Sequence, residues 1–347
     1  MSTMKIPAGV HTAIITPFDD ATYEIDWDSL GELIEFQISQ GVSGIVPAGT
    51  TGESATLSEH AHRQIIARAL LFQDRTFVLS GCGSNSTREA MSYVEYVSER
   101  GGNAALLVDP YYNGPSSLEI RKEYYEPIAK AFPELTIIPY IIPGRTGCQL
   151  LPLDIAELAT DYPNISAVKE ATGNIDNMKQ IRLLTPRGFK IFSGDDDKTH
   201  EMMIRMEISA SGVISVVSNI APATVREMCN ALLKGDYIKA GTLRDKLKPL
   251  FDIVTVTAER ASVAISVSDK FRNPLPIKTA MNLLGMPAGP CRQPLGKMTV
   301  NGIEKVRKSL LKVWRESPEI LIPIEEFFGV DIEHNLNDNS LWASLCY

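Results

Sequence analysis

No two of the five cysteines in this 347-residue chain stand in a CxxC pair: Cys82, Cys148, Cys229, Cys291 and Cys346 are scattered. A dispersed, odd set predicts reduced thiols, not a disulfide framework or a zinc site. Histidines are equally scarce. His60 and His62 lie two apart on a predicted helix, where they share no face, and His11, His200 and His334 stand alone. The acidic run Asp195, Asp196 and Asp197 reads as a solvated helix cap in preference to a Mg²⁺ site, so no metal is expected. Positive charge is also short. With 34 Lys and Arg against 42 Asp and Glu, the net charge of −8 argues against nucleic acid or an anionic membrane as partner. No apolar run reaches the length of a membrane span, and MSTMKIPAGV carries no signal core, so a cytoplasmic protein is expected. There is no GxSxG nucleophile turn. The turn after the first apolar run, TPFDDATYEID, has none of the glycines of a dinucleotide site.

What is present is a rhythm. Eight β-rich apolar runs recur: VHTAIITPF (10–18), GVSGIVPAG (41–49), TFVLSGCG (76–83), NAALLVDP (103–110), LTIIPYIIP (135–143), ISAVKEA (165–171), KIFSGDD (190–196) and ASGVISVV (210–217). Helical segments separate them. One carries Leu30, Leu33 and Ile34; another opens on the capping sequence SEHA and carries Ile65, Ile66 and Leu70. Eight alternating β-α units predict an α/β fold, a (β/α)8 TIM barrel spanning residues 1–224. From about Ala221 the β pattern stops. Residues 225–315 read as a helical C-terminal subdomain, and 316–347 as an extension of unknown role that either wraps the body or a partner or stays disordered.

Active sites of such barrels lie at the C-terminal ends of the strands. Reactive side chains collect there: Thr50, Thr51, Tyr111, Tyr112, Tyr140, Arg145 and Lys169. Lys169 closes the alternating run Ile165, Ala167, Val168, so its ammonium ends a buried strand. Either it reaches solvent or an acid, or its pKa is lowered and it serves as a nucleophile. GTTGE (49–53) is either a tight turn or a nest of backbone N–H groups for a carboxylate. A lysine beside tyrosines and an anion-binding turn suits Schiff-base chemistry on a 2-keto acid, with hydroxyls relaying protons.

The motifs GTTGESATL, PYYN, a tyrosine followed by PxRTG, VKEATGN, SGDD and GVIS run in this order between about Pro7 and Arg315. In them the chain resembles the dihydrodipicolinate synthase / N-acetylneuraminate lyase family of pyruvate-dependent class I aldolases. The resemblance implies a Schiff base between pyruvate and Lys169 and no other cofactor. It implies a proton relay of Tyr140, Thr50 and Tyr112, the last reaching a neighbouring subunit's site in a homotetramer built as a dimer of dimers. Thr50 and Thr51 N–H groups would hold the pyruvate carboxylate, and Gly194 and Ile214 would line its pocket. Arg145 matches the arginine that binds the carboxylate of L-aspartate 4-semialdehyde in the synthase branch, the branch serving diaminopimelate and lysine biosynthesis. Ile141 departs from the asparagine usual after the tyrosine, which leaves open another aldolase, such as a 2-keto-3-deoxy sugar acid aldolase. A non-catalytic metabolite-sensing barrel is the remaining alternative. Ser54, Ala55, Leu57, Glu59, His62, Asn85, Glu89 and Tyr111 match an L-lysine inhibitor site, with Glu59 a departure from the residues usual there.

Overall fold

The structure, a computed structural model, describes residues 5–261, 263 and 265–347. Nine short strands form one parallel sheet: β1 (Gly9–Thr12), β2 (Gly44–Ile45), β3 (Phe77–Val78), β4 (Ser80–Gly81), β5 (Ala104–Val108), β6 (Thr136–Ile141), β7 (Ala167–Glu170), β8 (Lys190–Ser193) and β9 (Gly212–Ser215). Their spatial order is β3-β2-β1-β9-β8-β7-β6-β5-β4. The two ends of that order, β3 and β4, are halves of a single run broken at Leu79, one half pairing β2 and the other β5. The sheet therefore closes into the expected eight-stranded barrel. Closure requires a close approach at Gly81, where an added Cβ would meet the Ala48 carbonyl oxygen at 2.3 Å.

Strand alternation sorts the apolar residues into two cores. Val46, Leu106, Ile138, Tyr140, Phe192 and Ile214 are among those filling the barrel interior. Val10, Ile45, Ile137, Ile141 and Val168 face outward into the larger core beneath the helices. The helix Glu59–Leu70 begins where SEHA predicts: Ser58 Oγ accepts the N–H of Ala61 at 3.2 Å, and Ile65, Ile66 and Leu70 are buried. Among the described residues no helix is long and apolar enough to cross a membrane.

Two expectations are corrected. The β pattern does not end near Ala221, because residues 225–315 contain an antiparallel hairpin, β10 (Thr255–Ala261) paired with β11 (Ser266–Arg272). Its period-2 pattern is real: Val256 and Ala258 are buried, and Thr255, Thr257 and Glu259 face solvent. The helix Val300–Glu316 holds it through Lys305 Nζ to Thr257 O (2.6 Å) and Asn301 Nδ2 to Glu259 O (3.1 Å). The acidic run does open a helix, Asp196–Ile204, and Asp197 is exposed, but the run is not solvated throughout. Asp196 is 6% exposed, accepts the Ser215 hydroxyl, and takes the N–H groups of Val216 (2.9 Å) and Val217 (3.2 Å). Those donors sit at and just past the C-terminal end of β9, about twenty residues away, and they satisfy a buried carboxylate that no local sequence signal reveals. Residues 316–347 pack against the body, burying Ile320, Leu321, Ile324, Ile332 and Leu336, and the backbone N–H of Tyr347 donates to Met298 O (3.0 Å).

Candidate active site

Lys169 lies on β7 directly across from Tyr140 on β6, in parallel register. Its Nζ is 3.9 Å from the Tyr140 ring centroid. The lysine is 5% exposed, and its amine makes no hydrogen bond or ion pair among the described residues. Burial pulls its pKa down to about 8. Asp195 and Asp196 oppose the fall and Arg145 adds to it. A fall from 10.5 to about 8 raises the neutral fraction at pH 7 by roughly two to three orders of magnitude. The aromatic face beside Nζ supplies some of the attraction that a lost hydration shell would have given an ammonium.

Gly194 makes room for that side chain. A Cβ there would stand 2.7 Å from the Ala171 Cβ and 3.1 Å from the Lys169 Cε. Ile214, on β9, is fully buried in the barrel interior with Tyr140. The Tyr140 hydroxyl is hydrogen-bonded to Thr50, and burial pushes its pKa up to about 12. Thr50 and Thr51 belong to the tight turn after β2, where Glu53 N donates to Thr50 O (3.1 Å) and Ser54 N to Gly49 O (3.2 Å). Among the described residues the backbone N–H groups of Thr50 and Thr51 reach no protein acceptor, which suits a carboxylate cradle. Thr51 is itself buried and its Oγ1 accepts Asn273 Nδ2 at 2.9 Å.

Thr50 is also where the lysine site meets a cavity of about 600 Å³ at the strand C-termini, walled in part by Ser54, Tyr111, Ile142, Arg145 and Asn273. Arg145, in the turn Pro143–Thr146, donates from Nη2 to Asn273 O at 2.8 Å. The residue is solvent-exposed as a whole, but its guanidinium end is desolvated. Desolvation first, and Arg272 after Tyr140, shift its pKa in opposition to Tyr140 and Asp195: burial and Arg272 lower it, Tyr140 and Asp195 raise it. Ile141 does not touch this space. It points outward into the barrel–helix core and is fully buried there, so its replacement of an asparagine leaves the cavity's polarity unchanged. Ile142 is the apolar residue on the cavity wall.

Tyr112 stands apart. It is 89% exposed and holds φ at +84°, an uncommon backbone state for a bulky side chain, with its N–H bonded to Thr146 O at 3.2 Å. Within one chain, then, Lys169, Tyr140 and Thr50 come together and Tyr112 does not join them.

The residues matched to an effector site form a second group. His62 Nε2 lies 2.7 Å from Gly81 O, and the ring stacks on Tyr93 at 4.1 Å between centroids. Glu89 accepts the Ser84 hydroxyl and, at 3.3 Å, the Tyr93 hydroxyl. Tyr111 is bonded to the Asn85 backbone, and burial followed by the Glu89 charge raises its pKa. Ser54 and Ala55 lie on the cavity wall with Tyr111, while Leu57 is partly buried against the core. Glu59 turns away to pair with Arg63 at 2.7 Å. Tyr93 and Ser84 escaped the sequence reading. Tyr93 could have been found, since its helix places it one turn from Glu89.

Residues 6–313 match the Dihydrodipicolinate synthetase family. The chain belongs to that family. The 4-hydroxy-tetrahydrodipicolinate synthase of Syntrophus aciditrophicus is 40% identical over 301 residues, covering 86% of this chain and 96% of the relative. Dihydrodipicolinate synthase from Cyanidioschyzon merolae, solved with lysine bound, superposes with a TM-score of 0.80 at 31% identity, covering 89% of this chain and 99% of that one. The chloride-inhibited synthase of Acinetobacter baumannii, solved with pyruvate, gives 0.78 at 34%, again over 89% and 99%. Membership of the dihydrodipicolinate synthetase family makes this protein a lyase of the class I aldolase type on a TIM barrel.

Proposed function

We propose that this protein is a 4-hydroxy-tetrahydrodipicolinate synthase, condensing pyruvate with L-aspartate 4-semialdehyde on the diaminopimelate route to lysine. The observation that carries the reading is the buried, unpaired Lys169 amine beside Tyr140, its pKa pulled down to about 8.

The neutral amine attacks the pyruvate C2 carbonyl, and the carbinolamine loses water to give an iminium. The Tyr140–Thr50 hydroxyl pair moves the protons that addition and dehydration require. Loss of a C3 proton gives an enamine whose C3 bonds to the aldehyde carbon, and the alkoxide takes up a proton. The amino group that came with the semialdehyde then attacks C2 and displaces Lys169, closing the ring and returning the amine. The balance is one water released for each pair of substrates joined. The Thr50 and Thr51 amides hold the pyruvate carboxylate, Gly194 and Ile214 shape its pocket, and Arg145 takes the carboxylate of the aldehyde.

A single chain leaves Tyr112 exposed, and we read its strained backbone as holding the hydroxyl for the active site of a neighbouring copy in a homotetramer. The group around His62, Glu89 and Tyr111 suits an α-amino acid with a cationic side chain, and L-lysine is its proposed inhibitor. The outward-facing Ile141 removes the reason for preferring a sugar-derived keto acid.

The deciding experiment couples turnover of pyruvate and L-aspartate 4-semialdehyde to the next reductase and reads NADPH loss. Turnover that vanishes in Lys169→Ala, with pyruvate trapped on Lys169 by borohydride in the wild type, supports the synthase. Trapping without turnover points to a different aldehyde, and absence of both points to a binding protein.

A further inference from the structure

The turn after β6 and the base of the β10–β11 hairpin are clasped by two arginines in opposite directions. Arg145 Nη2 donates to Asn273 O at 2.8 Å, and Arg272 Nη1 donates to Gly144 O at 3.0 Å. Each bond uses one of the five N–H groups of a guanidinium. Neither arginine makes an ion pair among the described residues. Lys270 shares a strand face with Arg272, two residues away, and lines the same 600 Å³ cavity, as does Lys297; neither lysine is ion-paired there.

Four cations thus surround one cavity in a chain whose net charge is −8. The neighbouring carboxylates are engaged elsewhere. Asp269 bonds Arg260 across the hairpin at 2.8 Å, and Glu53 is buried against Lys278 at 2.9 Å. Asp195 acts on Arg145 but also on Lys169. Arg272 stands close enough to Arg145 to lower its pKa, so the two guanidiniums repel each other. A pure clasp has no need of like charges: a glutamine donates to a carbonyl as well as an arginine does. Two forks opening on one cavity fit a planar oxyanion that each meets through paired N–H groups.

We propose that Arg272 joins Arg145 in a two-guanidinium site that takes the carboxylate of the aldehyde substrate, making the β10–β11 hairpin a determinant of specificity for acidic aldehydes. The proposal rests on the Schiff-base reading, with Lys270 and Lys297 drawing the anion toward the pair from the rim.

The test compares Arg272→Gln, which keeps a donor for Gly144 O and removes the charge, with Arg272→Lys, which keeps the charge. Expected for Arg272→Gln is a KM for L-aspartate 4-semialdehyde raised on the order of tenfold. The KM for pyruvate and the extent of borohydride trapping should stay at wild-type values, and Arg272→Lys should fall between wild type and Arg272→Gln. Calorimetric titration with glutarate, a carboxylate probe that needs no Schiff base, should show weaker binding in Arg272→Gln by a similar factor. A KM for the aldehyde and a glutarate affinity both within twofold of wild type in Arg272→Gln would overturn the proposal and leave Arg272 a clasp. Failure of borohydride trapping in the wild type instead overturns the Schiff-base reading and with it the aldehyde as ligand; the glutarate titration still judges the two-arginine site.

Discussion

Lys169 and Tyr140 face each other across β7 and β6 with the amine 3.9 Å from the ring centroid, both enclosed by the barrel. The enclosure that raises the tyrosine's pKa lowers the lysine's, because burial penalises the charged form of each. At neutral pH this brings roughly one-tenth of the lysine into its uncharged, nucleophilic form beside an uncharged proton donor.

That relationship sets a pH dependence. At subsaturating pyruvate, the rate of borohydride-trappable adduct should rise with pH, pass its half-maximum near pH 8 and level off roughly one unit higher, short of an ordinary lysine's range. The same shift destabilises the fold. Between about pH 8 and 10.5 the unfolded chain binds a proton at this lysine that the native chain does not, so wild-type stability rises with pH there. Lys169→Met should therefore be more stable than wild type at pH 7, by about 3 kcal/mol. The gap should close towards pH 10.5, and denaturant titrations at pH 7 and pH 10.5 read it directly.

Tyr140→Phe removes the relay hydroxyl and keeps the ring that faces Lys169. Its kcat should fall about 10²–10⁴-fold. Pyruvate should still bind, with a Kd within a few-fold of wild type by calorimetry. A kcat within tenfold of wild type would remove Tyr140 from proton transfer.

Exposed Tyr112 predicts complementation between subunits. Tyr112→Phe and Lys169→Ala homo-oligomers should each be nearly inactive, and mixing them with subunit exchange should restore activity. In a mixed pair, one site has its own Lys169 and the partner chain's Tyr112. If activity never exceeds the sum of the parents while native mass spectrometry shows hybrids, Tyr112 serves its own chain or none.

For the effector group, L-lysine should inhibit the wild type and protect the Glu89 helix, Thr87–Glu99, from hydrogen exchange. Glu89→Gln keeps an acceptor for Ser84 and Tyr93 and removes the charge that would meet an ammonium. Its half-inhibitory lysine concentration should rise at least about tenfold. An unchanged value would exclude Glu89 from the site.

Much of this was legible residue by residue. The run Ile165, Ala167, Val168, Lys169 announces a lysine at the end of a buried strand, and the PxRTG turn places Arg145 just past the end of another. The outward direction of Ile141 was legible too, because a residue following an inward tyrosine on a strand must face the other way. The hairpin holding Arg272 was not recognised, since its alternation is brief and lies inside an otherwise helical stretch. Asp196 looked like surface because its partners, Ser215, Val216 and Val217, are brought to it only when β9 joins the sheet.

By itself, the sequence determined the alternation of strands and helices, the caps, and which residues stand at strand ends. These follow from local periodicity and from the chemistry of neighbours. Tertiary structure alone decided which strand ends meet, that Arg272 faces Arg145, and that the Lys169 amine titrates near 8. Barrel closure pairs Gly9 with Gly212, packing of the C-terminal region brings Asn273 to Thr51, and desolvation depends on everything packed around a group.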